Sequence, residues 1–78
     1  MQIEITTPDK TVFEGQCSLV QIPGVDGLLE ILENHAPMIA LLGTGKMKLK
    51  DDSDKYQYFD INGGVLEVKD NSVKILAE

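Results

Sequence analysis

The sequence contains no arginine. Seven lysines stand against thirteen acidic residues, for a formal net charge of −6. Without arginine the chain has no planar fork for bidentate contacts to phosphate or carboxylate. Without clustered positive charge the overall balance is a poor match for nucleic acid, which is not expected as a partner. Only one cysteine, Cys17, is present. It cannot form an internal disulfide, so a secreted, disulfide-stapled scaffold is disfavoured and a reducing cytoplasm suits the chain. No signal segment opens the sequence, because MQIEITTPDK alternates polar and apolar residues. The longest strongly apolar uncharged run, APMIALLGTG, is about half of what a bilayer span needs. The chain therefore reads as soluble, meeting a membrane only through a partner. Internal repeats, linkers and low-complexity tracts are also missing.

What is present is a single small domain, residues 1–78. A content of 42% hydrophobic and 26% charged residues favours folding over disorder, although a core at this length is marginal. The dominant hydrophobic period is two. QIEIT places Ile3 and Ile5 on one face, and KMKLK does the same with Met47 and Leu49. LEV pairs Leu66 with Val68, and SVKIL pairs Val73 with Ile75. Such alternation marks strands with one wet face. SLVQI is less regular, with Leu19 opposite Val20 and Ile22, as in a strand covered on both sides or bent by a bulge.

Turn signals punctuate these runs: TPDK, PGVDG, ENHAP, GTG, DDSD, NGG and DN. Strands of about five residues at this spacing predict an all-β sandwich or barrel. The double glycine of INGGVLEV predicts a tight hairpin with positive φ at its centre. The GTG of GTGK predicts a turn between strands. GLLEILEN is the one stretch with a helical option, too short and too poorly capped to be assigned as a helix.

Chemistry-bearing residues are sparse. His35, the only histidine, sits in ENHAPM with no serine or second histidine nearby. A Cys17–His35 pair would need an orienting group and an oxyanion site as well, so a structural or interface histidine is the preferred reading. The three carboxylates of DDSD lack the further ligands and the glycine of a calcium loop, and read as a solvated hairpin tip. GTGK lacks the first glycine and the Ser/Thr of a phosphate loop. No catalytic residue, metal site or cofactor is indicated. The residues alone lead to an acidic β domain that binds a protein partner.

Four stretches together carry a more specific signal: QIEI, TPDKTVFEG at 7–15, IPGVDGLLEILENHAPMIALLGTGKMKL at 22–49 and YFDINGGVLEVKDNSVKILAE at 58–78. Their order resembles the N-terminal β-sandwich domain of the epsilon subunit of F-type ATP synthases, called delta in mitochondria. The resemblance covers nearly the whole chain. It implies a flattened sandwich of two five-stranded sheets. It also implies a non-catalytic rotor role in the central stalk of a proton-translocating ATP synthase, peripheral on the cytoplasmic face of the bacterial inner membrane. The implied partners are the gamma subunit and the ring of c subunits. By position, loops at one end of the sandwich, Gly24 to Leu28 and Glu33 to Pro37, would approach the c ring, with Asp26, Leu28, Glu30, Asn34 and His35 as candidates. Thr7, Val12, Leu41 and Leu42 are the corresponding candidates for gamma. A small β adaptor that binds peptides along an edge strand is the alternative, and a small enzyme using Cys17 and His35 is a third reading.

The chain also departs from the family pattern. Leu28 stands near the position where the family usually has a glutamate, which leaves Asp26 or Glu30 to supply any acidic contact. ENHAP replaces the frequent PGHAP. Asn34 is suited to hold the positive φ of that glycine, so the turn is expected to survive. Family chains commonly continue from LA into two helices that bind ATP in some members. The sequence here ends at Glu78, and no helical brake or nucleotide site is expected within these residues. Equilibrium dialysis against labelled ATP should show no saturable binding to the 78-residue chain; saturable binding would contradict this reading.

Overall fold

Ile3 and Ile5, the inward residues of β1 (Gln2–Thr6), are 0% and 1% exposed, and their strand is paired on both sides. The computed structural model describes residues 1–78 and contains six strands and no helix. After β1 come β2 (Thr11–Gly24), β3 (Gly27–Leu32), β4 (Met38–Asp51), β5 (Tyr56–Lys69) and β6 (Ser72–Ala77). The strand order is β1-β6-β5-β4-β2-β3, and β1 also pairs with β2, so β1, β6, β5, β4 and β2 form a closed ring. β1 runs parallel to β6 and antiparallel to β2. The strand β3 is hydrogen-bonded along the outer side of β2.

The expected all-β sandwich is realised with long strands. β2, β4 and β5 are 14 residues each, not the five or so that turn signals suggested. Each bends midway and serves both layers. One layer holds five segments: the first half of β2, β1, β6, the second half of β5 and the first half of β4. The other holds four: β3, the second half of β2, the second half of β4 and the first half of β5. The GLLEILEN stretch is the extended β3, in which Ile31 is buried while Leu28, Glu30 and Leu32 face outward.

Two predicted turns prove to be bends inside strands. GTG lies within β4 and NGG within β5, and pairing continues on both sides of each. A glycine with positive φ turns the strand direction as readily as it closes a hairpin. At Gly63 and Gly64 the φ values are 121° and 139°. The backbone of β6 crosses so closely there that a Cβ on Gly64 would overlap the carbonyl oxygen of Leu76 and come within 3.0 Å of Ala77 Cα. The irregularity of SLVQI is a shift of register between Cys17 and Leu19.

Sixteen apolar residues form the core, and no polar residue is fully buried. The inward alternation read from the sequence holds for Ile3, Ile5, Met47, Leu49, Leu66, Val68, Val73 and Ile75, each at most 2% exposed. Each such side chain adds roughly 1.5–3 kcal/mol of burial. Between the layers, Phe13 and Phe59 pack with ring centroids 5.6 Å apart and planes tilted by 56°.

One end of the ring is pinned by polar contacts. The α-ammonium of Met1 donates to the Cys17 carbonyl at 2.9 Å and to Glu33 Oε1, and Cys17 N–H donates back to the Met1 carbonyl at 2.9 Å. Glu33 Oε2 accepts from Asn71 Nδ2 at 3.1 Å, and Asn71 Oδ1 accepts from Asn34 N–H at 2.8 Å. The hydrogen bond from the ammonium, followed by that from Asn71, holds the Glu33 carboxyl below its ordinary range.

Two outcomes follow. Gly64→Ala combines backbone strain with a clash against β6 and should cost ~3 kcal/mol or more in urea unfolding. Gly43→Ala, whose Cβ would meet only ordinary contacts of 3.5 Å and longer, should be far milder. Equal midpoints for the two variants would contradict the crossing. Because the folded pKa of Glu33 is depressed, its stabilisation is present above the unfolded carboxylate range and is lost as pH falls through the folded value. Glu33→Gln should therefore be less stable than the parent at pH 6–7, with the gap narrowing towards pH 3. A gap independent of pH would show that the ion pair does not operate.

Candidate functional site

Cys17 and His35, the two residues with catalytic potential, do not form a site. Cys17 is a core residue at 3% exposure. Desolvation pushes its thiol up to about 11, so it stays protonated at neutral pH and is a poor nucleophile. His35 is half-buried, with Nδ1 lying 2.7 Å from the Ala36 carbonyl, and no hydrogen bond joins it to Cys17. The acidic tip is a brace. Asp51 Oδ1 accepts from the backbone N–H of Ser53 and Lys55, and Oδ2 accepts from Gln57 Nε2 at 2.9 Å. These bonds, that of Gln57 foremost, lower the Asp51 pKa. No group of three or more His, Cys, Asp or Glu residues is placed to hold a metal ion. No helix is long and apolar enough to cross a membrane.

Surface remains as the functional element. On the outside of the five-segment layer, Leu41 of β4 pairs with Val65 of β5, which pairs with Leu76 of β6. Ile39 lies two residues before Leu41 on the same face. Ile39, Leu41 and Leu76 are 71%, 62% and 60% exposed. The turn at one end of β3 extends this patch, because Val25 N–H donates to the Leu41 carbonyl at 3.0 Å. Val25 and Leu28 of that turn are also exposed, and with Ile39 and Leu41 they line one shallow groove. Contiguous exposed apolar surface of this kind marks an interaction site.

Leu41 and Leu42, expected as a joint contact, are divided by strand alternation. Leu41 faces solvent, whereas Leu42 is 4% exposed and belongs to the core, so Leu42 can act on a partner only by holding the strand. Thr7 sits in the β1–β2 turn, where its N–H donates to the Lys10 carbonyl at 2.9 Å, and Val12 is exposed at the start of β2. Asp26 is exposed at the tip between β2 and β3. Glu30 faces outward from the other layer, where its carboxylate accepts from Gln21 Nε2 at 2.9 Å.

The two loops expected at one end of the sandwich lie at opposite ends of β3. The chain enters that strand at Gly27 and leaves it at Leu32, about 17 Å away for a strand of this length. Asp26 and Leu28 therefore belong with the apolar groove. Asn34 and His35 belong with the corner pinned by Met1 and Asn71. Asn34 has the expected positive φ, 60°, so asparagine does hold the turn. Sequence reasoning missed Ile39 and Leu76, and did not single out Val25 within the Gly24 to Leu28 loop. Their signal was available for Leu76, since SVKILA places it opposite the buried Val73 and Ile75.

The profile of the ATP synthase delta/epsilon chain β-sandwich domain matches residues 1–78. The chain is 35% identical to the ATP synthase epsilon chain of Leptospira borgpetersenii, covering 100% of this chain and 61% of the relative. It is 39% identical to that of Chlorobium limicola, covering 99% of this chain and 88% of the relative. The chain thus spans about three-fifths of the Leptospira relative's length. In structure it superposes on part of a Euglena gracilis mitochondrial ATP synthase assembly of OSCP, F1 and c-ring. The TM-score is 0.89 at 21% identity, covering 96% of this chain and 48% of that one. It also superposes on part of a Tetrahymena thermophila mitochondrial ATP synthase central stalk and c-ring. There the TM-score is 0.80 at 23% identity, covering 99% and 62%. Both superpositions show a shared fold. With the sequence match over its full length, the chain belongs to the family of ATP synthase delta/epsilon chain β-sandwich domains.

Proposed function

We propose that this domain is a non-catalytic rotor module of the central stalk of an F-type ATP synthase. It docks on the gamma subunit and the c-subunit ring, so that proton-driven rotation is passed to the catalytic subunits. The observation that carries the reading is the exposed apolar patch of Ile39, Leu41 and Leu76 on a domain whose one thiol and one histidine form no active site. A rotor joint needs rigid, complementary surface and no chemistry of its own. The closed strand ring supplies the rigidity.

The two partners divide between neighbouring regions. The apolar face suits gamma, because a permanent interface buries residues that a solitary soluble domain would not display. Thr7 and Val12 are the more peripheral candidates. The hairpin tip at Asp26 and Leu28 projects from the end of that face and suits the polar loops of the ring, with Asp26 as the only carboxylate in the turn. Asn34 and His35, a strand length away, act in this reading as a brace of the N-terminal corner. Membrane association would then be indirect, through the ring.

The test is co-purification of the chain with a gamma subunit. Leu41→Glu should weaken capture by ~2 kcal/mol or more, roughly thirtyfold, as expected for a central apolar contact. The fold should be unaffected, since the residue is exposed. Undiminished capture by Leu41→Glu and by Ile39→Glu would remove gamma from this face. Capture of other proteins in place of gamma would favour the adaptor reading.

A further inference from the structure

Ring closure leaves the four-segment layer with two free edges. β3 pairs only with β2, and the first half of β5 pairs only with β4. Register shows which backbone groups each edge presents. Asp51 N–H donates to the Lys55 carbonyl at 2.8 Å, so Asp51 and Lys55 are a hydrogen-bonded pair. Alternation then turns the N–H and C=O of Gln57 and Phe59 towards β4 and those of Tyr56, Tyr58 and Asp60 away from it. No backbone hydrogen bond made outside the strand ladders involves these three residues, and their side chains are exposed. In β3, which leaves a two-residue turn at Gly27, the same alternation turns Leu28, Glu30 and Leu32 to the free edge.

The two edges differ in what they offer a copy of themselves. A two-fold axis normal to the sheet sets identical strands antiparallel and makes the contact isologous. On β3, the register that engages all three outward residues puts Glu30 directly opposite Glu30 of the second copy, a like-charge pair that opposes association. On β5, the corresponding register puts Tyr58 opposite Tyr58, and Tyr56 opposite Asp60. The β5 edge also lacks the usual guards. It has no proline, its pairing with β4 is unbroken from Tyr56 to Asp60, and its inward positions are Gln57 and Phe59.

The charges fit this register. The ammonium groups of Lys48 and Lys50 lie 4.9 and 5.8 Å from the centroid of the Tyr56 ring, so both side chains reach across from β4 towards the free edge. Asp60 of a second copy would stand one strand spacing beyond Tyr56, about 5 Å away on the same face. Within its own chain Asp60 has only an exposed contact with Lys46 at 3.2 Å, a kind of pair that is loosely held. It can therefore be shared across the seam.

We propose that two copies of the chain associate edge to edge through Tyr56 to Asp60 of β5, joining their four-segment layers into one continuous sheet. About six main-chain hydrogen bonds would form, with a tyrosine pair on the axis and Asp60 beside the two cations at each end. The net charge of −6 works against two copies at long range. At physiological ionic strength screening leaves mainly the charges within about 8 Å of one another, and at the seam each copy contributes both signs. The contact is small, which makes the dimer weak and reversible. It leaves Ile39, Leu41 and Leu76 uncovered on the other layer, so it stands independently of docking to gamma.

The test is sedimentation velocity of the 78-residue chain at about 0.15 M salt, in a concentration series reaching about 1 mM, with amide shifts recorded alongside. The dimer fraction should rise with concentration, and the shifts should centre on Tyr56, Tyr58 and Asp60. In an isotope-mixed sample, Hα–Hα contacts should join Gln57 of one copy to Phe59 of the other, the non-hydrogen-bonded pair of this register. Tyr58→Lys, which sets like charges together on the axis, should weaken the dimer at least tenfold while the spectrum stays dispersed. Asp60→Lys, which adds a cation beside Lys48 and Lys50 of the second copy, should weaken it at least threefold. Leu41→Glu should leave it unchanged, and Tyr58→Lys should still co-purify with gamma. A chain that stays monomeric throughout the series, a dimer that survives both β5 substitutions, or one abolished by Leu41→Glu would each overturn the proposal.

Discussion

β1 is the strand on which the architecture depends. It lies between β2 and β6, antiparallel to one and parallel to the other, and it converts an open sheet into a ring. A parallel pair cannot be joined by a tight turn, so everything between β1 and β6 serves as the crossover. The pairing is as non-local as the chain permits, and the layers cannot close until both ends of the described chain have met. Burial of Ile3 and Ile5 against Val73 and Ile75 rewards that closure. The Met1 ammonium, held by Cys17 and Glu33, keeps the strand from sliding.

Closure explains the form of the surface. Strands that bend at glycines and continue carry one alternation through both layers, so each layer acquires its own outward face without extra chain. One face is apolar, around Ile39, Leu41 and Leu76. The other carries Lys46, Lys48, Lys50, Tyr56 and Tyr58 along β4 and β5, and Leu28, Glu30 and Leu32 along β3. The core, meanwhile, contains no fully buried polar residue, and its only thiol is desolvated. A domain of this kind has little chemical capacity but can present two unlike surfaces in fixed relation, as a mechanical joint requires.

Much of the fold was legible in the period-two alternation. Ile3, Ile5, Met47, Leu49, Val73 and Ile75 were placed inward from sequence and are inward. Strand length was not legible. Gly63 and Gly64 permit either a hairpin or a bend, and the choice is made by β6 crossing over them, a contact that no local pattern encodes. The same limit applied to the surface. Asn34 was recognisable as a positive-φ residue because asparagine tolerates that region, and the division of Leu41 from Leu42 follows once the strand is known. That Val25 and Leu28 join Ile39 and Leu41, while Asn34 and His35 lie a strand length away, depends on the direction of β3. The direction became known only when GLLEILEN proved to be a strand.

The central claim is that the five-segment layer is a buried joint in the working assembly. A cryo-EM map of an F-type ATP synthase carrying this chain tests it most directly. The account predicts that Ile39, Leu41 and Leu76 are covered by gamma and that Leu28 approaches the c ring. A map in which all three apolar side chains face open solvent while the domain is bound elsewhere would contradict it.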